Sequence, residues 1–141
     1  MDLENLLLDS ELHVDVAAPI ADVFEAMLRQ LAEENAAPNH PMPMRLERWP
    51  GGRWIRDLGD DTGHLWGLVQ VIKPPTLLEI CGPMFMSYPV SSHLELRLSE
   101  DGGKTHVKLR HRAFGLIDDA HREGAQSGWQ HFADRLVQRF A

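Results

Sequence analysis

Apolar and polar positions alternate in short runs over most of the chain, and only two stretches switch to helical spacing. Residues 11 to 17 set Leu12, Val14 and Val16 on one face and His13 and Asp15 on the other, the pattern of a half-buried strand. Pro19 then opens a helix, because proline is tolerated at the first helical position. Ile20, Val23, Phe24, Met27, Leu28 and Leu31 follow at intervals of three and four. Pro38, Pro41 and Pro43 argue against regular structure from 36 to 44, which reads as a connecting loop or a lid. Short strands are predicted over 44–49, 53–58, 64–72 and 76–81, separated by Pro50-Gly51-Gly52, an acidic turn at 57–63 and Lys73-Pro74-Pro75. Residues 82–89 break the pattern in a loop carrying Met84, Phe85 and Met86.

Strands over 90–98 and 104–111 flank Ser99-Glu100-Asp101-Gly102-Gly103, a hairpin signal. The register that keeps one face apolar opposes Leu98 to Thr105, Leu96 to Val107, Leu94 to Leu109 and Ser92 to His111. The other face then sets Arg97 against His106, Glu95 against Lys108 and His93 against Arg110. A one-residue slip would mix the faces. From Asp118 to the end, Ala125, Trp129, Phe132, Leu136 and Phe140 form one stripe of an amphipathic helix, with Asp118 and Asp119 at its positive end. Gly124 and Gly128 interrupt that helix at about 1 kcal/mol each relative to alanine. Glycines on the sheet-facing side would let backbone or a ligand approach closely.

Composition narrows the functional classes. The chain has 141 residues, read as one domain with residues 1–10 as an N-terminal extension. A net charge of −7 argues against nucleic acid and anionic membranes as partners. One cysteine, Cys81, excludes a disulfide framework and fits a reducing, cytoplasmic setting. Leu6-Leu7-Leu8 is too short, and too acidic in its flank, for a signal or spanning segment. No metal is expected: Asp57, Asp60 and Asp61 do not follow calcium-loop spacing, and His93, His106 and His111 do not share a face. No cofactor motif appears either.

These motifs, in this order, resemble the START-like, or SRPBCC, superfamily. They are Ala18-Pro19 with Val23-Phe24, Pro50-Gly51-Gly52-Arg53-Trp54, Gly67 through Pro74-Pro75, Gly102-Gly103-Lys104-Thr105 leading to His111, and Gly128-Trp129. The branch most similar is the one named for homology to the activator of the heat-shock-protein ATPase, and the resemblance spans residues 11 to 141. It implies an α+β helix-grip fold, a curved antiparallel sheet of six to seven strands wrapped around a long C-terminal helix. A cavity between them, in this superfamily, takes lipids, sterols, polyketides and other hydrophobic ligands. The proline-rich 36–44 stretch departs from the tryptophan-bearing short helix usual there.

The first functional reading is therefore a binding module for a small hydrophobic or amphipathic molecule. Its expected lining is Trp54, Trp66, Met84, Met86, Ser92, Leu94, His111, Trp129 and Phe132, each of which has an ordinary core or gap-filling role as its alternative. The second is a polyketide cyclase or aromatase with His111 as acid–base group. Ser92 beside His111 suggests a nucleophile and base, but no orienting carboxylate or nucleophile elbow accompanies them. The third is a co-chaperone-like protein partner engaged by the outer sheet face (His93, Glu95, Arg97, Lys108, Arg110).

Overall fold

The computed structural model describes residues 2–84 and 88–141. After a short 3-10 turn, Leu3–Leu6, the elements are β1 (Leu7–Val16), α1 (Ile20–Leu31), β2 (Ala36–Ala37), β3 (His40–Pro41), β4 (Arg45–Leu46), β5 (Arg53–Gly59), β6 (Thr62–Lys73), β7 (Leu77–Gly82), β8 (Val90–Asp101), β9 (Lys104–Gly115) and α2 (Asp119–Arg139). Seven strands form one antiparallel sheet in the order β1-β9-β8-β7-β6-β5-β4. It is a meander whose first strand returns to pair with the last. The inner-face residues of β8 and β9 and the apolar stripes of both helices make one core containing Phe24, Trp54, Leu94, Leu96, Leu109, Trp129 and Leu136. This is the α+β helix-grip arrangement.

The helices end where their sequences say they should. Pro19 stands at the N-cap of α1, one position before the predicted one. The Asp118 side chain accepts from the His121 backbone N–H at 2.8 Å and caps α2. The sheet bends where β6 and β7 cross at Gly67 and Gly82. A Cβ on Gly67 would meet Ile80 Cγ2 at 2.6 Å, and one on Gly82 would meet Gly67 Cα at 2.5 Å, so only glycine allows this approach. Register shifts at Trp54/Ile55 and Val69/Val71 add to the curvature.

Three sequence expectations need correction. The β8–β9 register is displaced by two residues: Ser92 opposes Ala113, Leu94 opposes His111, Leu96 opposes Leu109 and Glu95 opposes Arg110. The turn is Gly102-Gly103 alone, both at positive φ, so Ser99, Glu100 and Asp101 stay in the strand. A two-residue displacement keeps each side chain on its face, so the inner face remains Ser92, Leu94, Leu96 and Leu98 against Val107, Leu109, His111 and Ala113. Residues 7–10 of the expected extension lie in β1, paired with Phe114 through His111. The 36–44 stretch is also more ordered than its prolines suggest. Ala36 and Ala37 pair with Pro41 and His40. Asn35 and Met42 join through a backbone bond of 2.9 Å and an Asn35 side-chain bond to the Met42 carbonyl of 2.9 Å. Pro38 occupies the turn, and Pro41 sits in a two-stranded edge where few ladder donors are required.

Candidate functional site: a roomy cavity and a narrow cleft beside Trp129 and His111

Between α2, the strands β5 and β6, and residues 35–42 lies a cavity of about 360 Å³ that opens to solvent. Its floor is aromatic. Trp54 and Trp66 meet edge to face with ring centroids 5.1 Å apart, and Trp129 meets Phe132 in the same way at 5.8 Å. Trp54 is held rigidly, because its indole N–H donates at 2.7 Å to the Leu31 carbonyl at the last turn of α1, where a helix has no acceptor-satisfying amide of its own. One wall is the small hairpin, which contributes Ala36, Pro38, His40 and Met42.

The α2 wall is Gly124, Gly128 and Arg135, spaced along one stripe of the helix. A Cβ built on either glycine meets nothing within 4 Å. Close backbone packing therefore does not explain them; they border open space. Arg135 donates at 2.8 Å to the backbone carbonyl of Glu34. The Glu34 carboxylate is taken by Arg139 at 2.7 Å and Arg29 at 3.4 Å. The Arg139 hydrogen bond holds the Glu34 carboxyl below its ordinary range. Among the described lining residues there is no carboxylate, and the ionisable groups are Arg135 and His40.

Beyond His111 lies a second, narrow cleft of about 20 Å³, with room for roughly one water. Here Trp129 Nε1 donates to His111 Nδ1 at 3.0 Å, and His111 Nε2 lies 3.0 Å from Ser92 Oγ. An indole nitrogen can only donate. Nδ1 is therefore the unprotonated nitrogen, the neutral ring carries its proton on Nε2, and Ser92 Oγ accepts it. Burial pushes the His111 pKa down to about 4, since the imidazolium would be desolvated. The direction of the Ser92 contact is opposite to the one a nucleophile–base pair requires.

The expected lining residues thus separate into groups. Trp54, Trp66, Trp129 and Phe132 come together at the open cavity. Ser92 and His111 line the narrow cleft instead. Met84 and Leu94 are fully buried in the core and border neither space. Met86 lies outside the described residues. Arg135, His40 and Met42 were not anticipated. Arg135 had one sequence signal, its place seven residues after Gly128 on the same helical stripe.

On the outer sheet face the charges are matched to each other. Glu95 and Lys108 pair at 3.0 Å, His93 and Glu79 at 2.8 Å, and Arg110 and Asp9 at 2.8 Å. His13 and His106 stack with centroids 5.1 Å apart and share a 2.9 Å nitrogen–nitrogen contact, each ring also bonded to a carboxylate, Glu11 or Asp15, at 2.9 Å. Among the described residues no group of three or more His, Cys, Asp or Glu is placed to hold a metal ion. No described helix is long and apolar enough to cross a membrane.

Comparison with known proteins agrees with this architecture. The family model for activator of Hsp90 ATPase homolog 1-like protein matches residues 17–141. No curated protein matches the chain significantly. The solution structure of an AHSA1-like protein from Rhizobium etli is 27% identical, with a TM-score of 0.62 over 93% of this chain and 80% of that one. CalU16 from Micromonospora echinospora is 22% identical, with a TM-score of 0.64 over 92% of this chain and 72% of that one. DynU16, from the dynemicin biosynthetic locus, is 20% identical with a TM-score of 0.65; the match covers 92% of this chain but 46% of DynU16.

Proposed function

The chain belongs to the family of activator of Hsp90 ATPase homolog 1-like proteins, and from that premise we propose that it binds one small hydrophobic or amphipathic molecule in the cavity beside Trp129. The observation that carries this reading is the pair of glycines. Gly124 and Gly128 weaken α2 by about 1 kcal/mol each, and no neighbouring atom occupies the space their missing side chains leave. What that absence secures is a cavity of about 360 Å³, within the size range of small-molecule sites and walled by four aromatic rings.

The acid–base reading finds less support. His111 borders the narrow cleft and does not line the large cavity, its Nδ1 lone pair accepts the Trp129 indole proton, and its low pKa keeps it neutral. Docking of a protein partner through the outer sheet face would compete with the ion pairs that already hold Glu95, Lys108 and Arg110.

Isothermal titration calorimetry with a panel of bicyclic and tricyclic aromatics, flavonoids and fatty acids tests the proposal. At least one class is expected to bind one to one, and Gly128→Leu is expected to remove that binding. The absence of heat from every class, or binding that survives Gly128→Leu, would reject it.

A further inference from the structure

Resting on that cavity reading, we propose that the ligand is an aromatic anion of two or three fused rings, with its acidic group held by Arg135. Size comes first. A dry cavity of roughly 150 Å³ takes one benzene ring, so about 360 Å³ suits two or three. Shape comes next, since the Trp54–Trp66 and Trp129–Phe132 pairs offer ring faces and edges for a planar body.

Charge decides the class. The whole chain has 21 acidic against 14 Lys and Arg residues, yet the described cavity lining holds no carboxylate and one guanidinium. Arg135 satisfies one N–H on a backbone carbonyl and forms no ion pair with a described carboxylate. Its neighbour in sequence, Asp134, accepts instead from Gln130 at 2.9 Å and does not line the cavity. At that rim three guanidiniums, Arg29, Arg135 and Arg139, gather about the single carboxylate of Glu34. Arg29 and Arg139 bond that carboxylate, and Arg135 is the member of the group that lines the open space. A guanidinium with donors to spare, beside an aromatic floor, fits a carboxylate in bidentate geometry.

A matched pair of probes separates this inference from the cavity reading. 2-Naphthoate and 2-naphthamide share one shape and differ in charge. Calorimetry should show naphthoate binding at least about tenfold tighter at neutral pH, as a charge-assisted contact predicts. Arg135→Gln should weaken naphthoate until the two probes agree within about twofold, with an unchanged far-ultraviolet circular dichroism spectrum and melting transition certifying that the variant is folded; Arg135→Lys should restore part of the preference. Equal affinity of both probes for the unaltered protein, with both lost in Gly128→Leu, would overturn the anion assignment and leave the cavity reading standing. So would a naphthoate preference that persists in Arg135→Gln. Failure of both probes to bind would overturn the aromatic-anion assignment alone, and binding unaffected by Gly128→Leu would overturn the two together.

Discussion

Trp129 divides the space between α2 and the sheet into two regions with similar apolar walls and opposite uses of polar atoms. Beside the narrow cleft, Trp129, His111 and Ser92 bond to one another in series, and about 20 Å³ remains. In the open cavity, the facing helix positions are glycines, the cationic group has donors left over, and about 360 Å³ remains. The difference teaches how to tell a structural polar group from a binding one in this fold. Burial and an interesting residue type do not suffice, because His111 has both. What matters is whether the group's hydrogen-bonding capacity is already consumed by the protein.

The comparison can be broken most forcefully at His111. His111→Ala removes a buried ring and strands the Trp129 indole N–H and Ser92 hydroxyl, so urea unfolding should register a loss of about 3 kcal/mol. Affinity for a cavity ligand should change by less than about twofold. A large affinity loss with little destabilisation would move His111 into the binding site.

Acid should reveal the same group. The folded pKa of His111, about 4, lies below the 6.5 of an unperturbed histidine, so the unfolded chain takes up the proton first. The stabilisation is therefore complete above pH 6.5 and is lost as pH falls through the window to about 4, amounting to about 3 kcal/mol. His111→Gln, which keeps a donor and an acceptor, should flatten unfolding free energy across that window. An unchanged acid slope in this variant would assign the effect to other groups.

A smaller effect sharpens the tautomer assignment. Trp129→Phe keeps the aromatic wall and removes the donor to Nδ1, at a cost of about 1–2 kcal/mol. With Nδ1 released from the indole, the His111 pKa should rise, which NMR titration of its ring protons would follow. A fall or no change would mean that the indole bond does not hold the neutral form.

Much of this architecture is written in local pattern. Alternation located β5 through β9, and the stripe Ala125, Trp129, Phe132, Leu136 located α2, because burial of one face leaves a period in sequence. The β8–β9 register was missed by two because Ser99 to Asp101 project beyond the core, where no apolar residue marks the strand; only the turn chemistry of Gly102-Gly103 did so. Leu7 to Ser10 were missed because the apolar run Leu6-Leu7-Leu8 hides the alternation in which Leu8 is buried between exposed Leu7 and Asp9. The cavity itself was legible in part. Four aromatics and two helix glycines pointed to it, but Met84 and Leu94 have the same apolar character and pack solidly, and no local pattern distinguishes a filled space from an empty one. Arg135 drew no reading from the sequence, because its meaning depends on the hairpin at 35–42 that faces it across the gap.

The smallest energetic change is also the most direct test. Gly128→Leu puts a side chain into the open cavity from a helix that gains by losing a glycine. It should raise stability by about 1 kcal/mol and the melting temperature by about 3–5 °C. Calorimetry on the same variant should show the aromatic probe no longer binding. Higher stability together with lost binding is the predicted result; a lower melting temperature, or undiminished affinity, would contradict the claim that the glycines of α2 hold that space open for a ligand.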